Sequence, residues 1–475
     1  MTTTIGLEIH VQLATRTKMF CGCSTAFGDE PNTHICPVCL GLPGALPVLN
    51  AEAVQLATRL ATALGCEVHP VSEFSRKNYF YPDLPKSYQI TQFDRPIATG
   101  GSLPITTAAG ERRVRLTRAH IEEDAGKSMH AADITRGGET LVDFNRCGVP
   151  LIEIVTEPDL QSGDEAYEFL RGLRRLVRWL GVSSGDMEKG AMRCDVNISV
   201  SPDPARRGTK VEIKNLNSFR SVKRAIDYEE QRQAQCLVDG TPIVMETRHF
   251  DEVLGTTTAM RSKEASNDYR YFPEPDLPLL SLDPAQLKSV REHQPELPWE
   301  MQARFERDLG LASYDAALLT EERSTAEFFL QVLTVYNNPR KAASYIGTEV
   351  ARLLNERGMA LAQTRLTPEG LAGLLAMVES GVISNTASKE VLPLLLDEGL
   401  TPAEAVQKLG LEQVSDTSAI EEFARQVIAE NAVQVQQFKS GKEAVLGFLV
   451  GQLMKKSKGK ANPKLAGELL RKLLG

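Results

Sequence analysis

Acids, amides and one histidine recur at every second position in several short stretches of this chain. In 5–13, Ile5, Leu7, Ile9, Val11 and Leu13 alternate with Gly6, Glu8, His10 and Gln12. A period of two sends the first set into a core and gathers the second on the opposite face. In 193–200, Cys194, Val196, Ile198 and Val200 alternate with Arg193, Asp195, Asn197 and Ser199; in 210–214, Val211 and Ile213 alternate with Lys210, Glu212 and Lys214. Glu153 and Glu157 share a face in the apolar run 151–157, and Glu122, Glu123 and Asp124 follow the alternating segment 113–121, which His120 closes. Packed carboxylates repel one another, so such a cluster calls for a divalent cation. A histidine among carboxylates suits Mg²⁺ or Mn²⁺ better than a structural zinc. The plainer alternative is an antiparallel sheet with one wetted face, although such a face usually carries Lys and Thr rather than Glu, His, Asp and Asn.

A second constellation is Cys21-x-Cys23, twelve residues, then Cys36-x-x-Cys39. Two close thiolate pairs joined by a loop make the tetrahedral sulfur site that Zn²⁺ prefers, and four cysteines leave no open position, so this zinc would be structural. Cys66, Cys147, Cys194 and Cys236 lack such spacing. Gly126-Lys127-Ser128 resembles the end of a phosphate loop, but Ile121 stands where the motif needs glycine. There is no GxSxG elbow and no Ser/Lys constellation of an amidase.

The elements that must hold these residues read as α+β. Strands and helices do not alternate strictly, which favours a mixed or antiparallel sheet with helices. Asn50 caps a helix with Leu56, Leu60 and Leu64 in line, and Ser162 opens another with Phe169, Leu170, Leu173, Leu176, Val177 and Leu180 inward. Six prolines in 273–298 suggest an extended, irregular linker. Beyond it the chain reads as helix, with a capping box at Thr401-Pro402-Ala403-Glu404. The expected domains are 1–294, a sheet domain containing the cysteine loop 21–39; 295–405, all-helical; and 406–475, a helical tail.

The chain has 475 residues, 42% hydrophobic and 24% charged, with a net charge of −8. That is long enough to bury several cores and ordinary for globular protein. No run approaches the ~18 apolar residues of a membrane span, and the start of the chain lacks a secretory pattern, so a cytoplasmic setting is expected. Residues 439–475 carry nine Lys/Arg against Glu443 and Glu468, a local +7. Such a block fits a phosphate-backbone binder or a solvated tail equally well. One local echo stands out: Tyr79-Phe80-Tyr81-Pro82-Asp83-Leu84-Pro85 against Tyr271-Phe272-Pro273-Glu274-Pro275-Asp276-Leu277-Pro278.

GLEIHVQL at 6–13, RKNYFYPDLPKSYQI at 76–90, HIEEDAGKS at 120–128, VDFNRCGVPLIEIVTEPD at 142–159, MRCDVNISV at 192–200 and VEIKNLNSF at 211–219 resemble signatures of the B subunits of glutamyl/aspartyl-tRNA amidotransferases. The likeness continues through GVISNTASKEVL at 382–393 to FKSGKEAVLGFLVGQLMKKSKGKANP at 438–463. The archaeal-type E subunit carries an inserted domain for which 475 residues leave no room.

The resemblance implies a ligase that uses ATP and Mg²⁺ to phosphorylate the side-chain carboxylate of misacylated Glu-tRNA(Gln) or Asp-tRNA(Asn), then displaces phosphate with ammonia. It implies a metal set of Glu8, His10, Glu122 or Glu123, and Glu153. Within that mechanism, face and charge make Arg193, Lys210 and Lys214 candidates to balance phosphate charge, with Asn145, Asp195 and Asn197 to hold substrate or nucleotide. Ammonia would come from an amidase A subunit, with a small C subunit completing a heterotrimer and a non-discriminating aminoacyl-tRNA synthetase as a further partner. The helical part would bind tRNA through Lys439, Lys442, Lys455, Lys456, Lys458 and Lys460, and zinc would be structural. The competing reading is a non-catalytic tRNA-binding scaffold.

Overall fold

The structure is a computed structural model that describes residues 1–108, 110–130, 140–262, 269–411, 417–457, 461 and 463–475. It divides into two compact units, Met1–Leu297 and Pro298–Gly475. The α+β expectation holds: a sheet-bearing first unit precedes an all-helical second one.

The first unit is built on a ten-stranded mixed sheet. Its order is Thr256–Ser262, Glu246–Asp251, Val211–Lys214, Met192–Ser201, Thr2–Gln12, Pro150–Thr156, Gly110–Glu123, Ala98–Thr99 and Glu67–Val68, with Ser102–Thr107 also paired to Gly110–Glu123. Neighbours are antiparallel except Val211–Lys214 with Glu246–Asp251, which run parallel. The centre is the Thr2–Gln12 strand, whose Ile5, Leu7, Ile9 and Val11 are buried as the alternation requires. Cys194, Val196, Ile198, Ile121, Ile152, Ile154, Val211 and Ile213 are buried with them.

Two helices cover this side. Gly163–Trp179 starts at Ser162, whose side chain accepts from the Glu165 amide, and it buries Phe169, Leu170, Leu173, Leu176 and Val177. Phe219–Asp239 starts at Ser218, ends at Gly240 in the left-handed conformation, and packs on both the Met192–Ser201 strand and the first helix. Ala51–Ala63 is capped by Asn50, which accepts from the amides of Glu52 and Ala53. Covering one face with helices leaves the other free to carry polar groups.

The proline-rich stretch differs from the expected irregular linker. Pro284–Glu292 is a helix capped by Asp283, and Phe272–Pro273 and Leu280–Ser281 pair with earlier strands. Proline is tolerated at the first helical turn, where no amide partner is lost. Glu157 also departs from expectation. A register irregularity between Val155 and Thr156 ends the two-residue period there, and Glu157 accepts from Thr117 outside the strand.

In the second unit Thr401 and Glu404 form the expected capping box of Pro402–Leu409, a helix that packs on Pro368–Glu379 and Asn385–Glu398. A boundary at 405/406 would cut through this helix, between the buried Ala405 and Val406. The later helices gather around a separate core of Ile420, Ala424, Val427, Leu446, Leu449, Leu453, Ala461, Ala466, Leu470 and Leu474.

Candidate functional site

Register places Arg193 opposite His10, His10 opposite Glu153, and Glu153 opposite His120, a row crossing four strands on the polar face. Glu122, two residues beyond His120, enters from the same side. His10 Nε2 lies 3.4 Å from Glu122 Oε1 and 3.4 Å from Glu153 Oε2. His120 Nε2 lies 3.1 Å from Glu153 Oε2 and 3.7 Å from Glu122 Oε2. One donor atom each from His10, Glu122 and Glu153 falls within a mutual 4.8 Å, so a single cation can be held by all three.

The electrostatics favour that use. Burial opposes ionisation of Glu153, yet His120 and His10 beside it hold its carboxyl well below the usual carboxylate range. Glu122 is likewise depressed, against burial, by hydrogen bonding to His120. Burial works against a charged His10, but Glu153 and Glu122 carry it up to about 9. Two ionised carboxylates and two imidazoles of raised basicity form a nest that a divalent cation can enter by displacing protons.

The remaining expected residues divide. Glu8 lies on the same face, where its Oε1 accepts from Asn197 Nδ2 at 2.8 Å, outside the three-residue cluster. Glu123 does not join the metal set. Alternation turns it to the other side of the strand, where it is salt-bridged to Lys86 and accepts from the Ile90 amide at 3.0 Å. Arg193 is held by Asp124 at 2.7 Å, and Gln12 donates to the same oxygen at 3.0 Å. Lys214 is bound to Asp195 at 2.5 Å and lies 3.6 Å from Glu212. Lys210 is exposed just before Val211–Lys214.

Asn145 departs most from expectation. It accepts from the His34 amide and donates to the Glu30 carbonyl, bracing the cysteine loop instead of facing the cluster. His120, a weaker candidate on sequence because it ends a strand beside the acidic run, closes the row and touches both Glu153 and Glu122. Its signal was the shared parity with Glu122.

The four loop cysteines also converge, with sulfurs within a mutual 4.8 Å. Tetrahedral Zn–S bonds of about 2.3 Å put sulfurs roughly 3.8 Å apart, and Cys36 Sγ and Cys39 Sγ are 3.9 Å apart. Hydrogen bonding from Cys21 pulls the Cys39 thiol down to about 4. Lys18, fully buried, donates to the His34 and Phe144 carbonyls and lies 3.7 Å from Cys39 Sγ, placing a cation against the thiolates. The donor set fits zinc.

Among the lysines expected to meet tRNA, Lys439, Lys442 and Lys455 are exposed, and Lys456 is bound to Glu430 at 2.5 Å. Lys458 and Lys460 lie outside the described residues. No helix among the described residues is long and apolar enough to cross a membrane.

Residues 3–288 match the family model described as the GatB/GatE catalytic domain, and 327–474 match the GatB domain. The chain is 48% identical over 474 residues to the aspartyl/glutamyl-tRNA(Asn/Gln) amidotransferase B subunit of Solidesulfovibrio magneticus, covering 100% of this chain and 99% of that one. It is 50% identical to the protein of the same description from Thermotoga maritima and 49% to that from Myxococcus xanthus, each over 99% of this chain and 98% of the relative.

Proposed function

Because this chain belongs to the family of aspartyl/glutamyl-tRNA(Asn/Gln) amidotransferase B subunits, we propose that the His10–Glu122–Glu153 cluster is where the side-chain carboxylate of a misacylated tRNA is activated by ATP before amidation. The enzyme is a glutamine-hydrolysing ligase of several subunits. The observation that carries the assignment of the site is the in-register row Arg193–His10–Glu153–His120 with Glu122 beside it. A scaffold reading leaves unexplained why two buried carboxylates and two imidazoles converge on one point of the polar face.

A carboxylate cannot be amidated directly, since oxide is too poor a leaving group. The substrate carboxylate oxygen attacks the γ-phosphorus of ATP and ADP leaves; ammonia then attacks the acyl carbon and phosphate leaves. A Mg²⁺ ion, when bound, would neutralise phosphate oxygens during the first transfer. His10, Glu122 and Glu153 would hold it, and His120, whose Nε2 lies 3.1 Å from Glu153 Oε2 and 3.7 Å from Glu122 Oε2, helps to orient both carboxylates. Glu8 and Asn197, next along the same face, are placed to meet substrate. Ammonia would be delivered by an amidase A subunit assembled with a small C subunit, which agrees with the lack of an amidase constellation in this sequence. The four cysteines hold zinc as a brace, and Lys439, Lys442 and Lys455 lie on the helical bundle that meets tRNA.

The test is amide formation on Glu-tRNA(Gln) and Asp-tRNA(Asn) by the reconstituted complex, with and without ATP. Amide and inorganic phosphate appearing in equal amounts supports the assignment; amide formed without ATP removes it.

A further inference from the structure

The strand that leads into the first echoed segment, 79–85, pairs with the second, 271–278. Ser75–Asn78 pairs with Tyr88–Thr91 on one side and with Phe272–Pro273 on the other. Asn78 Nδ2 donates to the Tyr269 and Arg270 carbonyls at 3.2 and 2.8 Å, joining the residues that immediately precede the two segments. This small sheet abuts the acidic cluster, since Thr91 Oγ1 donates to Glu122 Oε2 at 3.2 Å.

Side chains on the central strand alternate in use. Arg76 is held by Glu274 at 2.8 Å and by Asp276 at 3.0 Å. Lys77 points the other way, its Nζ 5.0 Å from the Tyr269 ring centre and 5.8 Å from that of Tyr79. It makes no salt bridge among the described residues, although Glu122 and Glu153 are close enough to act on it electrostatically. The other cations of this region are committed: Arg193 to Asp124, Lys214 to Asp195, Lys86 to Glu123. Aromatic faces attract an ammonium and hold it in place without neutralising it. A lysine so held keeps its donors for a ligand anion.

We propose that Lys77, clamped by Tyr79 and Tyr269, binds a phosphate oxygen of the nucleotide brought to the His10–Glu122–Glu153 cluster. The inference rests on the activation reading above and adds to it a cation for the transferred phosphate's charge. It shares the role that sequence alone gave to Arg193, Lys210 and Lys214, of which Arg193 and Lys214 are already neutralised by Asp124 and Asp195.

The experiment measures equilibrium binding of Mg·ATP and, separately, of Mn²⁺ to the full chain, for wild type, Lys77→Met and Lys77→Arg. Loss of a charge-assisted hydrogen bond weakens binding by about tenfold or more. The expected result is that loss for Lys77→Met, near-normal Mg·ATP binding for Lys77→Arg, and unchanged Mn²⁺ binding in both. Wild-type Mg·ATP affinity in Lys77→Met overturns the assignment of Lys77 while leaving the activation reading intact. Wild-type chain that takes up Mn²⁺ but no Mg·ATP overturns the activation reading, and this inference with it. Parallel loss of Mn²⁺ and nucleotide in both variants makes Lys77 a structural cation and also overturns the proposal.

Discussion

Glu122 and Glu123 are adjacent in sequence and opposite in purpose. A strand sends neighbouring side chains to opposite faces, so one reaches His10 and the other is spent on Lys86. Glu122→Gln should therefore abolish tight Mn²⁺ binding, with a change of at least about 100-fold. Glu123→Gln should leave Mn²⁺ binding nearly unchanged but destabilise the protein by about 3–5 kcal/mol, since it strands the buried Lys86; calorimetry and chemical unfolding separate the two outcomes. Asp124 makes the folded protein sensitive to acid. Burial disfavours its charge, but Arg193 and Arg146 hold its carboxyl below the usual range. A depressed folded-state value stabilises the protein above the ordinary Asp range, and that contribution is lost as the pH falls below about 4. Asp124→Asn should lower the melting temperature at neutral pH and flatten its fall in acid. Residue types and parity made His10 and Glu153 legible beforehand and left Glu122 and Glu123 as alternatives. Glu123, Asn145 and Lys77 were not legible, because their partners lie on segments far away in sequence: Lys86, the cysteine loop and Tyr269.

Elements were read well wherever a local rule decides them. The alternation of 5–13, the caps at Asn50, Ser162 and Thr401, and the cysteine spacing all depend on near neighbours. The end of the Pro150–Thr156 strand was missed because pairing settles it, and the helix Pro284–Glu292 because the run of prolines masked a local signal, the Asp283 cap with Pro284 in the first turn. Two element-scale tests follow from the geometry. Cys36→Ser should release zinc from a purified chain that otherwise holds about one ion, and lower its melting temperature; retained stoichiometric zinc would refute the four-sulfur site. Gly101 has φ +89°, and a Cβ there would lie 2.6 Å from Cys66 Sγ and 2.7 Å from the Leu64 carbonyl oxygen. Gly101→Ala should cost about 1–3 kcal/mol in chemical unfolding, through backbone strain and crowding together.

At the scale of the molecule, the two units carry different charge logic: a carboxylate-lined cluster in the first and a basic helical end in the second. Residues 420–474 share one hydrophobic core, so cutting the chain after Gln437 would open that core as well as remove lysines. Charge substitution is the cleaner probe. Replacing Lys439, Lys442 and Lys455 with Gln should weaken tRNA binding and lower its salt slope by about one for each phosphate no longer neutralised. The full-length likeness to amidotransferase B subunits was visible in motif order and a helical tail from 406 was expected, whereas the residues that form its core were not legible, since they depend on which helices share an apolar seam.

The decisive experiment is single-turnover amidation by the reconstituted complex containing Glu153→Gln, with phosphate release, amide formation and tRNA binding followed together. If the cluster activates the substrate carboxylate, tRNA is bound as by wild type while phosphate release and amide formation are lost. Amide formed at the wild-type rate, with ATP consumed as usual, would place the chemistry elsewhere.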